Sequence, residues 1–111
     1  MKGEARKAAI NVYRDRKVVA GIYAVRCAAS NEVWVGRAPD VPAIGNRLRF
    51  ELGQGAHRHR AMQDAWRRHG ADNFSIDLVE RLDPDDLGLA MNRVLKARHA
   101  FWVEELGAGV L

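Results

Sequence analysis

The sequence predicts an α+β domain: a small three-stranded antiparallel sheet flanked by helices, with an extra helix at the N-terminus. Two observations carry that reading. Two β-rich runs, Val18–Cys27 and Glu32–Arg37, are separated only by the short polar segment Ala28–Asn31, which is the pattern of a hairpin. A third run, Phe74–Leu78, alternates apolar and polar residues and stands between segments of helical periodicity. Three strands covered by helices make a small layered domain. At 111 residues the chain is long enough for one hydrophobic core and is read as a single domain, its core spanning about 19–106.

In chain order, residues 4–17 read as a helix with a partial apolar stripe of Ala8, Ala9, Ile10, Val12 and Tyr13. The hairpin follows. A four-residue loop sets Cys27 opposite Glu32, Val25 opposite Trp34 and Tyr23 opposite Gly36. Facing residues of an antiparallel pair point to the same side. Tyr23, Trp34 and Gly36 are therefore expected on one face, and Ile22, Ala24, Val33 and Val35 on the other. Pro39 and Pro42 precede a helix at 42–53, because proline suits a helix start. Its buried stripe is Ile44, Leu48 and Leu52, with Arg47 and Glu51 one turn apart beside it. A second helix at 58–69 turns Met62, Ala65 and Trp66 inward and ends at Gly70 as an αL cap. Asp83, Pro84, Asp85 and Asp86 form a strong start signal, with a capping aspartate and acids near the positive end of the dipole. The helix they open is expected to run to about Leu106 and stop at Gly107.

Composition narrows the function classes. There is no apolar run of membrane-spanning length. The charged N-terminus lacks the apolar segment of a secretory signal. The single cysteine, Cys27, allows neither an internal disulfide nor a cysteine zinc cluster. Cytoplasmic residence is the expectation. The net charge of +4 is unevenly spread. Arg47, Arg49, Arg58, Arg60, Arg67 and Arg68 outnumber Glu51 and Asp64 in the middle of the chain. Residues 1–20 are also basic. Asp72, Asp77, Glu80, Asp83, Asp85 and Asp86 face only Arg81 between 71 and 90. The basic stretches are mostly arginine, whose planar fork suits phosphate. They read either as a nucleic-acid footprint or as solvated helix faces.

Gly21-Ile22-Tyr23, a short loop, Trp34-Val35-Gly36, an arginine-bearing helix, His57 and the run from Ala61 to Gly70 together resemble the GIY-YIG nuclease superfamily. Phe101-Trp102-Val103 is similar to the family's aromatic close. The resemblance covers about Val19 to Leu106 and implies metal-assisted phosphodiester hydrolysis of DNA; with no appended targeting domain read in the sequence, flexible or single-stranded DNA is the expected form. It implies Tyr23 as the proton-handling hydroxyl, Arg47 as the phosphate clamp after a small insertion, and His57 as a supporting polar group. Trp34, Arg37, Arg58 and Arg60 are the expected nucleic-acid contacts. Trp34 replaces the second motif's tyrosine and is read as stacking on a base or packing. His99 stands where the family's metal-holding glutamate lies. The implied cofactor is a divalent cation, Mg²⁺ or Mn²⁺, with His99 and Glu51 as candidate ligands. Magnesium prefers hard oxygen ligands, so histidine is a poor holder for it. Each candidate has a plain reading as well: a core histidine, and an ion pair of Glu51 with Arg47. The resulting expectation is a metal-dependent endonuclease domain. The alternatives are a nucleic-acid-binding domain on the same scaffold that has lost cleavage, and a protein-interaction domain.

Overall fold

The computed structural model describes residues 18–111. The helix expected at 4–17 lies outside them. β1 (Ala20–Cys27) and β2 (Glu32–Ala38) form the hairpin. Its register pairs Tyr23 with Gly36, Val25 with Trp34 and Cys27 with Glu32, as the loop length predicts. Asn31 closes the turn with φ 64°, a left-handed conformation that asparagine tolerates. Its N–H donates to the Cys27 carbonyl at 2.8 Å.

Two helices follow, α1 (Val41–Gly53) and α2 (Arg60–His69). α1 buries Val41, Leu48 and Leu52, while the expected Ile44 is half-buried. α2 buries Met62, Gln63 and Ala65. Gly70 ends it at φ 85° and ψ 163°. That is a glycine conformation, as expected, but not the αL one.

β3 (Phe74–Leu82) extends four residues beyond the expected strand and pairs antiparallel with β1. The pairing shifts register between Ile22 and Tyr23. The strands approach so closely there that a Cβ on Gly21 would strike the Glu80 carbonyl oxygen.

The start signal at residue 83 is real but the helix it opens is short. Asp83 Oδ1 accepts from the Asp85 N–H at 2.9 Å, capping α3 (Pro84–Leu87). Gly88, at φ 50°, then breaks the helix, and a 3₁₀ turn leads into α4 (Met91–Glu105). Gly107 ends α4 at φ 57°, where the sequence places the stop. A two-residue strand, β4 (Gly109–Val110), adds parallel to β2. The sheet is therefore four-stranded and mixed, in the order β3-β1-β2-β4, rather than three-stranded and antiparallel.

β1 is central and buried on both faces. On one face Tyr23, Val25, Cys27, Trp34, Ala38 and Phe74 pack against Leu48 and Leu52 of α1 and Met62 and Ala65 of α2. On the other, Ile22, Ala24, Val35 and Leu82 pack against Leu95 of α4. Glu80 clamps that second layer. Its Oε1 accepts from Arg98 Nε at 2.7 Å and from the Trp102 indole at 2.9 Å. Partial burial pushes the Glu80 carboxyl up, but these two donors and the Arg98 charge outweigh it and hold the group below the ordinary glutamate value. No helix among the described residues is long and apolar enough to cross a membrane.

Candidate functional site

A cleft of about 490 Å³ opens on the face that α1 and α2 cover. Tyr23, Arg47, Glu51, His57, Arg58 and His59 supply its polar wall, and Ile44, Leu48 and Leu111 its apolar part. Five of the sequence-selected residues, Tyr23, Arg47, Glu51, His57 and Arg58, thus meet at one place.

The hairpin positions Tyr23. Its ring lies over Gly36, its cross-strand partner, so closely that a Cβ at residue 36 would overlap the ring and the hydroxyl. Glycine is required here to seat the tyrosine. Gly36→Ala is expected to displace the ring, at a cost of about 1–3 kcal/mol from overpacking. Thermal denaturation would show this as a lowered Tm. Tyr23 is 5% exposed. Its hydroxyl has no hydrogen-bond partner among the described residues, and no buried side-chain polar atom there lacks one. The hydroxyl is therefore the wet edge of a buried ring. Burial raises its pKa, so the phenol is fully protonated at neutral pH.

α1 supplies Arg47 and Glu51 one turn apart. Arg47 Nε donates to Glu51 Oε2 at 3.2 Å. The arginine side chain is 70% exposed, so this i,i+4 pair is worth only a few tenths of a kcal/mol and leaves the guanidinium free to move.

The loop between α1 and α2 supplies His57. Buried Gln63 holds that loop in place. Its Oε1 accepts from the His57 backbone N–H at 3.0 Å, and its Nε2 donates to the Leu52 carbonyl at 3.0 Å. His57 Nδ1 accepts from the His59 N–H at 3.0 Å, which puts the proton of the neutral ring on Nε2. That nitrogen lies 3.8 Å from Glu51 Oε1. His59 caps α2, its Nδ1 accepting from the Met62 N–H at 3.4 Å.

Burial lowers the His57 pKa. Glu51 opposes the shift, while His59 and Arg58 add to it. An unfolded chain takes up this proton near the ordinary value of 6.5, and the folded chain does so at lower pH. Between the two the unfolded state binds more protons, so stability falls as pH drops through that window. Thermal melts in metal-free buffer at about pH 7 and about pH 5 should show a loss on acidification, part of which disappears in His57→Asn.

Four of the sequence-selected residues, Trp34, Arg37, Arg60 and His99, do not line the cleft. Trp34 is 4% exposed. Its ring lies parallel to Phe74 at 6.1 Å and edge-on to His59 at 6.2 Å. No face is open to a base, so Trp34 packs rather than stacks on DNA. Arg37 pairs with Ile22 in the hairpin and so projects on the α4 face, away from the cleft. His99, 5% exposed, lies on α4 and does not line the cleft. Its Nε2 donates to the Val35 carbonyl at 2.8 Å, and its Nδ1 accepts from Arg37 Nη1 at 3.2 Å. A carbonyl only accepts, so Nε2 must carry the proton. Both ring nitrogens are committed and neither has a lone pair for a cation. Arg60 is exposed at the first position of α2 and lies outside the cleft lining.

Gln63 is the polar residue supporting the site that the sequence did not mark. Gln63 carries no signal of its own before the loop geometry is known.

A divalent cation fits this cleft in one manner only. No group of three or more His, Cys, Asp or Glu side chains is arranged to hold a metal among the described residues. Glu51 is the one carboxylate side chain among the described residues of the cleft lining. Magnesium is commonly held through one or two carboxylates together with substrate phosphates and water. The donor set suits that arrangement and does not suit an all-protein cage.

No family model matches the chain, and no curated protein sequence matches it. Two solved structures do. The catalytic domain of intron endonuclease I-TevI, in a point-mutant form, superposes with a TM-score of 0.69 at 26% identity, covering 81% of this chain and 86% of that one. The catalytic domain of homing endonuclease I-TevI superposes with a TM-score of 0.71 at 24% identity, covering 83% of this chain and 97% of that one.

Proposed function

We propose, from the GIY-YIG nuclease-like fold of this chain, that the cleft binds a phosphodiester of DNA and hydrolyses it. One observation carries the proposal: Tyr23, Arg47, Glu51 and His57, drawn from a strand, a helix and a loop, converge on a single cleft. Arg47 is exposed and flexible enough to take two phosphoryl oxygens with its fork, releasing Glu51 as it does so. The released Glu51 carboxylate would hold a divalent cation, which would offset charge on the phosphoryl oxygens. The Tyr23 hydroxyl, protonated and without a hydrogen-bond partner among the described residues, takes the proton of the attacking water on its oxygen as it gives its own to a phosphoryl oxygen. His57, neutral with its proton on Nε2, donates to the phosphate or to the leaving oxygen. Arg58 adds positive charge at the rim, where a neighbouring phosphate passes.

A second reading has its own observation. His99 is locked against Val35 and Arg37, so the position that resembles the family's metal glutamate contributes nothing to the cleft. A domain with one weakly paired carboxylate would bind DNA through Arg47 and Arg58 without cutting it. The two are separated by incubating the purified protein with labelled single- and double-stranded DNA, with Mg²⁺, with Mn²⁺ or without either. Metal-dependent fragments support hydrolysis. Salt-sensitive binding with intact DNA supports the second reading. Absence of binding at low salt removes both.

A further inference from the structure

α1 carries an aromatic ring that neither the core nor the cleft uses. Phe50 is 67% exposed. A single exposed apolar side chain is ordinary on a protein surface, so the surroundings decide its meaning. At 3.6 residues per turn, Phe50 stands about 60° around α1 from Arg47, on the side away from Glu51. Arg49 flanks it on the far side and Asn46 lies one turn earlier, both exposed. Gly53 lies one turn later, and a Cβ there would meet nothing within 4 Å. Helical side chains lean towards the N-terminus, so a side chain at 53 would lie over the Phe50 turn. Glycine leaves that turn bare. Phe50 joins none of the ring pairs among the described residues, in contrast to Trp34, Trp66, Phe74, Phe101 and Trp102. The result is an open aromatic ring on the solvent side of α1, outside the cleft lining, set between the phosphate-clamping arginine and a second arginine.

This inference rests on the phosphate-binding reading of the cleft and specifies its substrate. We propose that Phe50 is a stacking platform for an unpaired base, so that the site takes single-stranded or locally unpaired DNA. The backbone phosphate lies at Arg47 and an adjoining base stacks on Phe50. A basic track interleaved with aromatic rings is the general device for holding single strands, because every base has a π-face. In a duplex those faces are already stacked on one another. Phe50 therefore contributes to single-strand binding and not to duplex binding.

The test is fluorescence anisotropy at low salt, without divalent cation, using three labelled probes of one length: a single strand, the same strand with abasic sites, and the duplex. Phe50→Ala should weaken single-strand binding by about 5- to 100-fold and leave the other two probes unchanged. Phe50→Tyr should bind as wild type, and Phe50→Leu should recover little. Because Phe50 is exposed, circular dichroism melts of all three variants should match wild type. Equal losses on abasic and intact strands, full recovery by leucine, or no loss at all would each overturn the proposal. Failure of the underlying reading looks different: Arg47→Ala would then bind all three probes as tightly as wild type, whatever Phe50 does.

Discussion

Tyr23→Phe should slow DNA cleavage by orders of magnitude while leaving the fold intact. The substitution removes one oxygen. The ring still packs over Gly36 and still fills its place among Val25, Trp34 and Leu48. The lost hydroxyl has no partner among the described residues, so none is left unsatisfied by its removal. Stability should therefore match wild type in a thermal melt. The rate should fall by about 10²- to 10⁴-fold, the range expected when a positioned proton-transfer group is lost. DNA binding, measured without divalent cation, should change little. The contrast with Gly36→Ala is informative, since that substitution moves the whole ring and should lower stability and rate together.

Arg47→Ala should also collapse the rate, and unlike Tyr23→Phe it should weaken binding. Loss of a preorganised donor to developing phosphoryl charge lowers turnover by about 10²- to 10³-fold. Arg47 also neutralises a phosphate in the bound state. Binding to every DNA probe should therefore weaken, and the slope of log K against log salt should fall by about one charge. Stability should barely move, because the arginine is 70% exposed and its only ion pair among the described residues is the i,i+4 contact with Glu51. Arg47→Lys keeps the charge and loses the fork, so it should restore the salt slope but only part of the rate.

Much of the scaffold is legible in the chain because it is governed by local rules. A four-residue loop fixed the hairpin register, and the register placed every side chain of β1 and β2 on a face. The same arithmetic puts Arg37 opposite Ile22, which already directs it away from the Tyr23 side. The capping aspartate at 83 and the stop at Gly107 were equally readable. What escaped depends on contacts between distant segments. Tyr23 and Trp34 share a face in the register, yet Phe74 and His59 bury one ring while the other keeps a wet edge on the cleft. His99 follows its helix onto the opposite layer, where the Val35 carbonyl and Arg37 absorb its nitrogens. Two residues of β4 are too few to show a period, and their parallel pairing depends on where α4 ends. The break at Gly88 reflects a positive φ that a helix-compatible sequence does not announce.

Hydrolysis in this cleft requires one phosphate to be held at once by Arg47 and the Tyr23 hydroxyl, on the sheet face opposite His99. A crystal structure with a non-hydrolysable single-stranded oligonucleotide tests this most directly. It should place a phosphoryl oxygen within hydrogen-bonding distance of both groups, with His57 beside it. A bound backbone running instead along α4, past Arg37 and His99, would contradict it.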